Sequence, residues 1–407
     1  MCTLDRRTFL GGTLGGFFAY ALRNRADSLF AQESAGRAKR CVVLWMDGGP
    51  SQMDTFDPKP GVDTGGPTKS IETAAKGIRI VEDLPQIARR MKRLSIVRSI
   101  NSKEGDHLRG QYLFHTGYPL VEGFARPALG ATISKETPES KTPKYVTLGA
   151  AGFGPAYLGA AHAPFSVEDA KQALDSLRAV ARKKDRIRFL RALDQEFDAG
   201  HPAEVLAGRE EMLRKIEDLS DTPFVRALDL ESEPSRDRER YGKSDFGQRC
   251  LTARRLLESG VRFVEVHQTG WDTHVDNFNV VGSQCRLIDG PWAALMDDLD
   301  ARGLLDETVV VWMGEFGRTP GINARNGRDH YPRVSCAVVG GGGIQGGRVI
   351  GETDRLGNGI VKDAVSVPDL FATLFACFGV DPKRRFRTEF GGTATLTDGG
   401  TPIRALL

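Results

Sequence analysis

Two uninterrupted apolar runs limit what this chain can fold into. Cys41-Val42-Val43-Leu44-Trp45-Met46 and Thr308-Val309-Val310-Val311-Trp312-Met313 carry no polar alternation, so each suits a parallel strand covered on both faces. A further strand, Val261 to Val266, follows a helical pattern: Phe246, Cys250, Ala253 and Leu257 recur behind a Ser244 cap, and Gly260 stops the helix. The same signals predict a helix over Pro291 to Arg302 with proline in its first turn, a strand over Ser335 to Val339 and a closing helix over Val367 to Phe378. Helices alternating with buried strands imply an α/β fold, an open, mostly parallel sheet with helices on both faces. Such sheets bind ligands at the carboxyl ends of their strands.

Acid and histidine clusters fall where that rule looks for a site. They are Trp271-Asp272-Thr273-His274, Gly314-Glu315-Phe316-Gly317-Arg318 and Arg328-Asp329-His330, with Asp47 directly after the first apolar run. Carboxylates and imidazoles among glycines at strand ends are costly to desolvate unless a cation compensates them. Asp272 and His274 are two apart, so extended backbone turns both to one side; the bland alternative is a loop turn with an Asx hydrogen bond. The expected metal ligands are Asp272, His274, Glu315, Asp329, His330 and Asp47. A mixed carboxylate and imidazole set accepts zinc, calcium, manganese or magnesium.

Other residues are candidates for chemistry beside the metal. Ser51, in the turn-rich loop from Asp47 to Pro60, is a nucleophile or a helix cap. Asp106 to Tyr118 reads as a helix ending at Gly117, which puts His107 and Arg109 near a helix N-terminus suited to an oxyanion. Arg318 is a second candidate anion clamp, since guanidinium grips phosphate or sulfate with two donors, and either arginine could instead be a structural ion pair. His115, His162, His201 and His267 read as structural or exposed.

The net charge is +3, of which Arg6, Arg7, Arg23 and Arg25 against Asp5 and Asp27 supply two, so there is no electrostatic case for nucleic acid. Asp5-Arg6-Arg7-Thr8-Phe9-Leu10 ahead of the apolar Gly11 to Leu22 matches a twin-arginine export signal over residues 1–31. That implies delivery by the export machinery to the periplasm or cell envelope, with a membrane anchor if the leader is retained. Residues 32–407 then form one domain carrying a charged helical insertion near 171–219, whose run from Arg182 to Arg186 reads as a solvated face. The mature chain keeps five cysteines and no CxxC pair, which gives neither a disulfide framework nor a structural zinc site.

Taken together, the motifs resemble those of the domain of unknown function 1501 family, sulfatase-like proteins of the alkaline phosphatase superfamily. The matching stretches are Gly48-Gly49-Pro50-Ser51-Gln52 with Asp54 to Pro60, His115-Thr116-Gly117-Tyr118, Trp271 to His274, Gly314 to Pro320 and Gly327 to His330. The resemblance implies an alkaline-phosphatase-like sheet, divalent metal at its carboxyl edge, and hydrolysis of sulfate or phosphate esters, small or polymeric. It also implies a nucleophile nine residues before Thr116, and His107 stands there in place of cysteine, serine or threonine. Catalysis then uses His107 as nucleophile or acid, or uses water, or is absent. In the last case the chain is a binding protein for sulfated or phosphorylated polymers.

Overall fold

The structure, a computed structural model, describes residues 36–181, 222–387 and 393–407. The twin-arginine segment, His201 and all but the start of the 171–219 insertion lie outside these residues. Among the described residues no helix is long and apolar enough to cross a membrane.

Among the described residues nine strands form the central sheet. In chain order they are β1 (Arg40–Met46), β2 (Leu94–Asn101), β3 (Tyr145–Leu148), β4 (Phe165–Val167), β5 (Phe263–Gln268), β6 (Thr308–Met313), β7 (Ser335–Gly340), β8 (Val349–Ile350) and β9 (Val365–Ser366). Their spatial order is β8-β2-β7-β6-β1-β5-β3-β4, with β9 also on β2. Among these described strands only β7 runs antiparallel to its neighbours, β2 and β6. The helices used below are α1 (Pro85–Arg90), α2 (His107–Thr116), α3 (Leu129–Glu136), α4 (Ala170–Ala181), α5 (Asp245–Glu258), α6 (Asn277–Ala301) and α7 (Val367–Cys377).

The period of two along β1 divides the core. Val42, Leu44 and Met46 pack with α1, α5 and α6 on one face, whereas Cys41, Val43 and Trp45 pack with α2, α3 and α7 on the other. Two devices expected from sequence are present. Ser244 caps α5 by accepting from the Gly247 N–H at 3.2 Å, and Gly117 closes α2 in the left-handed region at φ 74°. The five described cysteines are buried and unpaired.

One expected boundary is wrong. Pro291 does not start a helix but lies inside the 25-residue α6. A proline there costs about 3 kcal/mol. Burial of Val281, Cys285, Ile288, Trp292, Leu295 and Leu299 on the same helix, at about 1.5–3 kcal/mol for each large side chain, outweighs it.

The antiparallel course of β7 matters for the site. Ser335 at its start pairs with Ile100 near the carboxyl end of β2, so the residues that precede β7, Asp329 and His330 among them, reach the edge where β1, β5 and β6 end.

Candidate metal centre

Four segments bring their side chains to that edge. His107 opens α2, whose Asp106 cap accepts the Arg109 N–H at 3.1 Å. Asp272 and His274 follow β5, and His330 pairs with Arg318 in a two-residue ladder beyond β6. Glu315 lies directly after β6 and is fully buried.

Every imidazole has one nitrogen tied back. His107 Nδ1 lies 2.8 Å from Glu315 Oε1, which also accepts the Gly48 N–H at 2.9 Å. His274 Nδ1 lies 2.7 Å from Asp329 Oδ1, and His330 Nδ1 lies 2.8 Å from the Gly105 carbonyl. The remaining nitrogens face Asp272. His107 Nε2 is 3.4 Å from Oδ2, while His274 Nε2 and His330 Nε2 are 3.2 and 3.4 Å from Oδ1. His107, Asp272 and His330 thus present three ligand atoms within 4.8 Å of one another, with His274 Nε2 a further 2.9 Å from His330 Nε2.

This pattern fits a cation. A carbonyl only accepts, so His330 Nδ1 carries its hydrogen, and an ionised Asp329 assigns His274 in the same way. Neutral, the two rings then aim lone pairs at each other beside a carboxylate, an arrangement that needs a shared positive charge. Ligands about 2.05 Å from a tetrahedral ion stand roughly 3.4 Å apart, which matches the separations to the two Asp272 oxygens, whereas His274 Nε2 and His330 Nε2 stand closer, at 2.9 Å. Tying the far nitrogen of a histidine to a carboxylate or carbonyl is the usual support of a metal ligand.

The electrostatics follow from the contacts. The hydrogen bond to Glu315 raises the His107 pKa against the opposing effect of burial. Burial lowers that of His330, which has no carboxylate at Nδ1. For Asp272 burial acts upward, but the hydrogen bond and charge of Arg318 more than offset it and hold the carboxyl below its ordinary range. His274 does the same for Asp329. With its side chain 47% exposed, Asp272 leaves the cluster open to solvent.

Several of the expected site residues have surroundings that the sequence did not indicate. Glu315 and Asp329 stand behind His107 and His274 and grip their Nδ1 atoms, whereas His107, expected as nucleophile or acid, stands with the ligand atoms. Asp47 faces away, taking the Trp45 indole N–H at 2.6 Å and lying 2.9 Å from His267 Nδ1. Arg318 is fully buried and already engaged: Nε donates to Gly49 O at 2.9 Å, Nη1 to Arg328 O at 3.1 Å, and Nη2 to Gly48 O and to Asp272 Oδ1. It positions Asp272 and has no donor pair left for a substrate anion. Arg109 is half exposed and paired with Glu104, its Nε 2.9 Å from Oε2. Ser51 is buried, its hydroxyl donating to Asp54 Oδ2 at 2.6 Å.

Asp54 explains the rest of that loop. It also accepts from Thr68 Oγ1 at 2.5 Å, from Asn277 Nδ2 at 2.8 Å and from Arg328 Nε at 2.7 Å. Arg328 continues to the carbonyls of Thr319, Pro320 and Thr64, so this buried pair holds the chain that delivers His330.

A second cluster escaped sequence analysis. His115, Glu265 and His267 are all buried and adjacent. The one signal was Glu265, a carboxylate flanked by valines inside a buried strand.

Fold and site together define an α/β protein with a histidine-rich acidic cluster at the carboxyl edge of a mostly parallel sheet. The chain belongs to the family described as Protein of unknown function (DUF1501), whose model matches residues 38–407. No curated protein matches it in sequence. Solved structures similar to it include the lipoteichoic acid synthase LtaP from Listeria monocytogenes, at 9% identity and TM-score 0.41, covering 91% of this chain and 76% of that one. The PsFucS1 sulfatase from Pseudoalteromonas sp. has 13% identity and TM-score 0.41, with 87% and 72% covered. The C-terminal periplasmic domain of EcEptC from Escherichia coli, in complex with Zn, has 9% identity and TM-score 0.38, with 86% of each chain covered. Likeness at these scores transfers neither a residue role nor an activity.

Proposed function

We propose that the chain is a metal-dependent hydrolase of sulfate or phosphate esters, with a divalent cation held by His107, Asp272, His274 and His330. One observation carries the proposal: three imidazoles, each tied back through Nδ1, turn Nε2 toward a single carboxylate. A divalent ion supplies Lewis-acid polarisation of an ester oxygen and offsets the negative charge that develops on it. Three imidazoles favour zinc over calcium or magnesium, which prefer all-oxygen sites.

The chain's own groups set the geometry. Glu315 and Asp329 fix the rotation and tautomer of His107 and His274, and Arg318 orients Asp272. The described cysteines are buried, Ser51 is held by Asp54, and His107 Nδ1 is held by Glu315, so water is the nucleophile in this account. The substrate class rests on the resemblance of the motifs to sulfatase-like proteins, and export on Arg6-Arg7 and the apolar stretch behind it.

A second reading, binding of a sulfated or phosphorylated polymer without turnover, is favoured by the engagement of both arginines expected to clamp an anion. Aryl sulfate and aryl phosphate turnover by the zinc- or manganese-loaded protein, compared with Asp272→Ala, separates the two. Turnover that the variant loses supports the hydrolase. Metal-dependent binding of a sulfated glycan without turnover supports the second reading, and neither result in the loaded parent refutes both.

A further inference from the structure

The buried cluster behind the metal centre is a chain of four groups. Asp47 Oδ2 lies 2.9 Å from His267 Nδ1, His267 Nε2 lies 2.6 Å from Glu265 Oε1, and the same oxygen lies 2.9 Å from His115 Nε2. His115 Nδ1 ends the chain 2.7 Å from the Gln111 carbonyl. Both nitrogens of both imidazoles therefore face acceptors.

Such a cluster is either a hydrogen-bonded chain or a site for one divalent ion. The separations decide for hydrogen bonds. At 2.6 and 2.9 Å they are N–H···O lengths, and both end on the same Glu265 oxygen. Trp45 and Phe153 lie against the His115 ring with centroids 4.1 and 4.4 Å away, so the ring is held on its faces as well as at both nitrogens.

We infer that Glu265 is a positioning residue for the metal centre, acting along two routes that both end at His107. By the first, Glu265 holds His115, which shares α2 with His107 eight residues away, a little over two turns, and so fixes the helix along its axis. By the second, Glu265 holds His267, which holds Asp47. The next residue, Gly48, donates its N–H to the Glu315 oxygen that grips His107 Nδ1. Gly48 has no slack for a different path, because a Cβ on it would lie 2.4 Å from the Asp272 backbone nitrogen. Glu265 therefore anchors the helix that presents His107 and the turn that orients it.

The inference rests on the proposed metal site, and its test separates the two. Glu265→Gln removes the central charge while keeping the shape. Asp47→Asn cuts only the second route and guards against a Glu265→Gln protein that fails to fold. Zinc affinity is measured by chelator competition, and the visible spectrum of the cobalt-substituted protein reports ligand geometry. Both variants should hold one equivalent of metal, bind zinc about 10- to 100-fold more weakly, and show an altered cobalt spectrum. Folded variants with unchanged affinity and spectrum would overturn the inference alone. Two equivalents in the parent, one of them lost in Glu265→Gln, would also overturn it by making the cluster a second cation centre. A parent that takes up neither metal would overturn the functional reading and this inference together.

Discussion

Glu315→Gln is the sharpest perturbation of the proposed centre, because it changes charge and almost nothing else. Glu315 Oε1 accepts from Gly48 N at 2.9 Å and holds His107 Nδ1 at 2.8 Å, and a glutamine oxygen can keep both contacts. What disappears is the charge in them. Hydrogen bonds to charged groups contribute about 1.5–3 kcal/mol and neutral ones about 0.5–1.5. The His107 contact therefore weakens by roughly 1–1.5 kcal/mol, or about tenfold in an equilibrium constant. Loss of a group supporting a metal ligand costs about 10- to 100-fold in affinity, so the variant should bind zinc at least tenfold more weakly at unchanged stoichiometry. Glu315 Oε2 is buried and meets no hydrogen-bond donor among the described residues, so the amide placed there adds a folding cost of about 1–3 kcal/mol. Chelator competition gives the affinity and urea unfolding the stability. Unchanged zinc affinity would refute the orienting role, and complete loss of metal from a folded variant would make Glu315 a ligand itself.

Two other perturbations test the surroundings. Arg328→Met strands the Asp54 carboxylate with only neutral donors, and breaking a buried pair from one side costs about 3–5 kcal/mol, read from the urea midpoint. Adding Asp54→Asn should recover part of the loss, and a single-variant cost below about 1 kcal/mol would contradict the role given to the pair. Stability should also fall in alkali. Burial lowers the His267 pKa, but the hydrogen bonds to Asp47 and Glu265 prevail and lift it from 6.5 to about 9. The folded value exceeds the unfolded one, so this contribution, about 3 kcal/mol, is complete below pH 6.5 and disappears as pH rises through about 9. His267→Gln should flatten the slope of unfolding free energy over that window, and a parent already flat there would refute the charged chain.

Much of the frame was legible because burial leaves a plain mark. The all-apolar run at 308–313 is β6 to the residue, and the cap at Ser244 and the stop at Gly117 sit where their chemistry required. Pro291 misled because local punctuation gives way when a whole helix face is buried. The site was legible as a neighbourhood and illegible as a set of roles. Sequence places Asp272, Glu315 and His330 at one edge, but only three-dimensional contacts reveal that Glu315 reaches His107 rather than solvent, or that Arg318 turns inward. His115 looked structural because its partner, Glu265, sits 150 positions away in the chain, and His267, two residues from Glu265, joins the cluster only once His115 packs against that strand. The direction of β7, which brings His330 to the edge, leaves no mark in its own composition.

The most direct test is metal content by elemental mass spectrometry of the purified protein beside Asp272→Ala and His330→Ala, with the exposed Arg109→Ala as a control outside the cluster. The account predicts one equivalent of a divalent ion, zinc foremost, retained in the control and lost from both cluster variants while they stay folded. No uptake by the parent after reconstitution with zinc or manganese, or retention by both cluster variants, would contradict it.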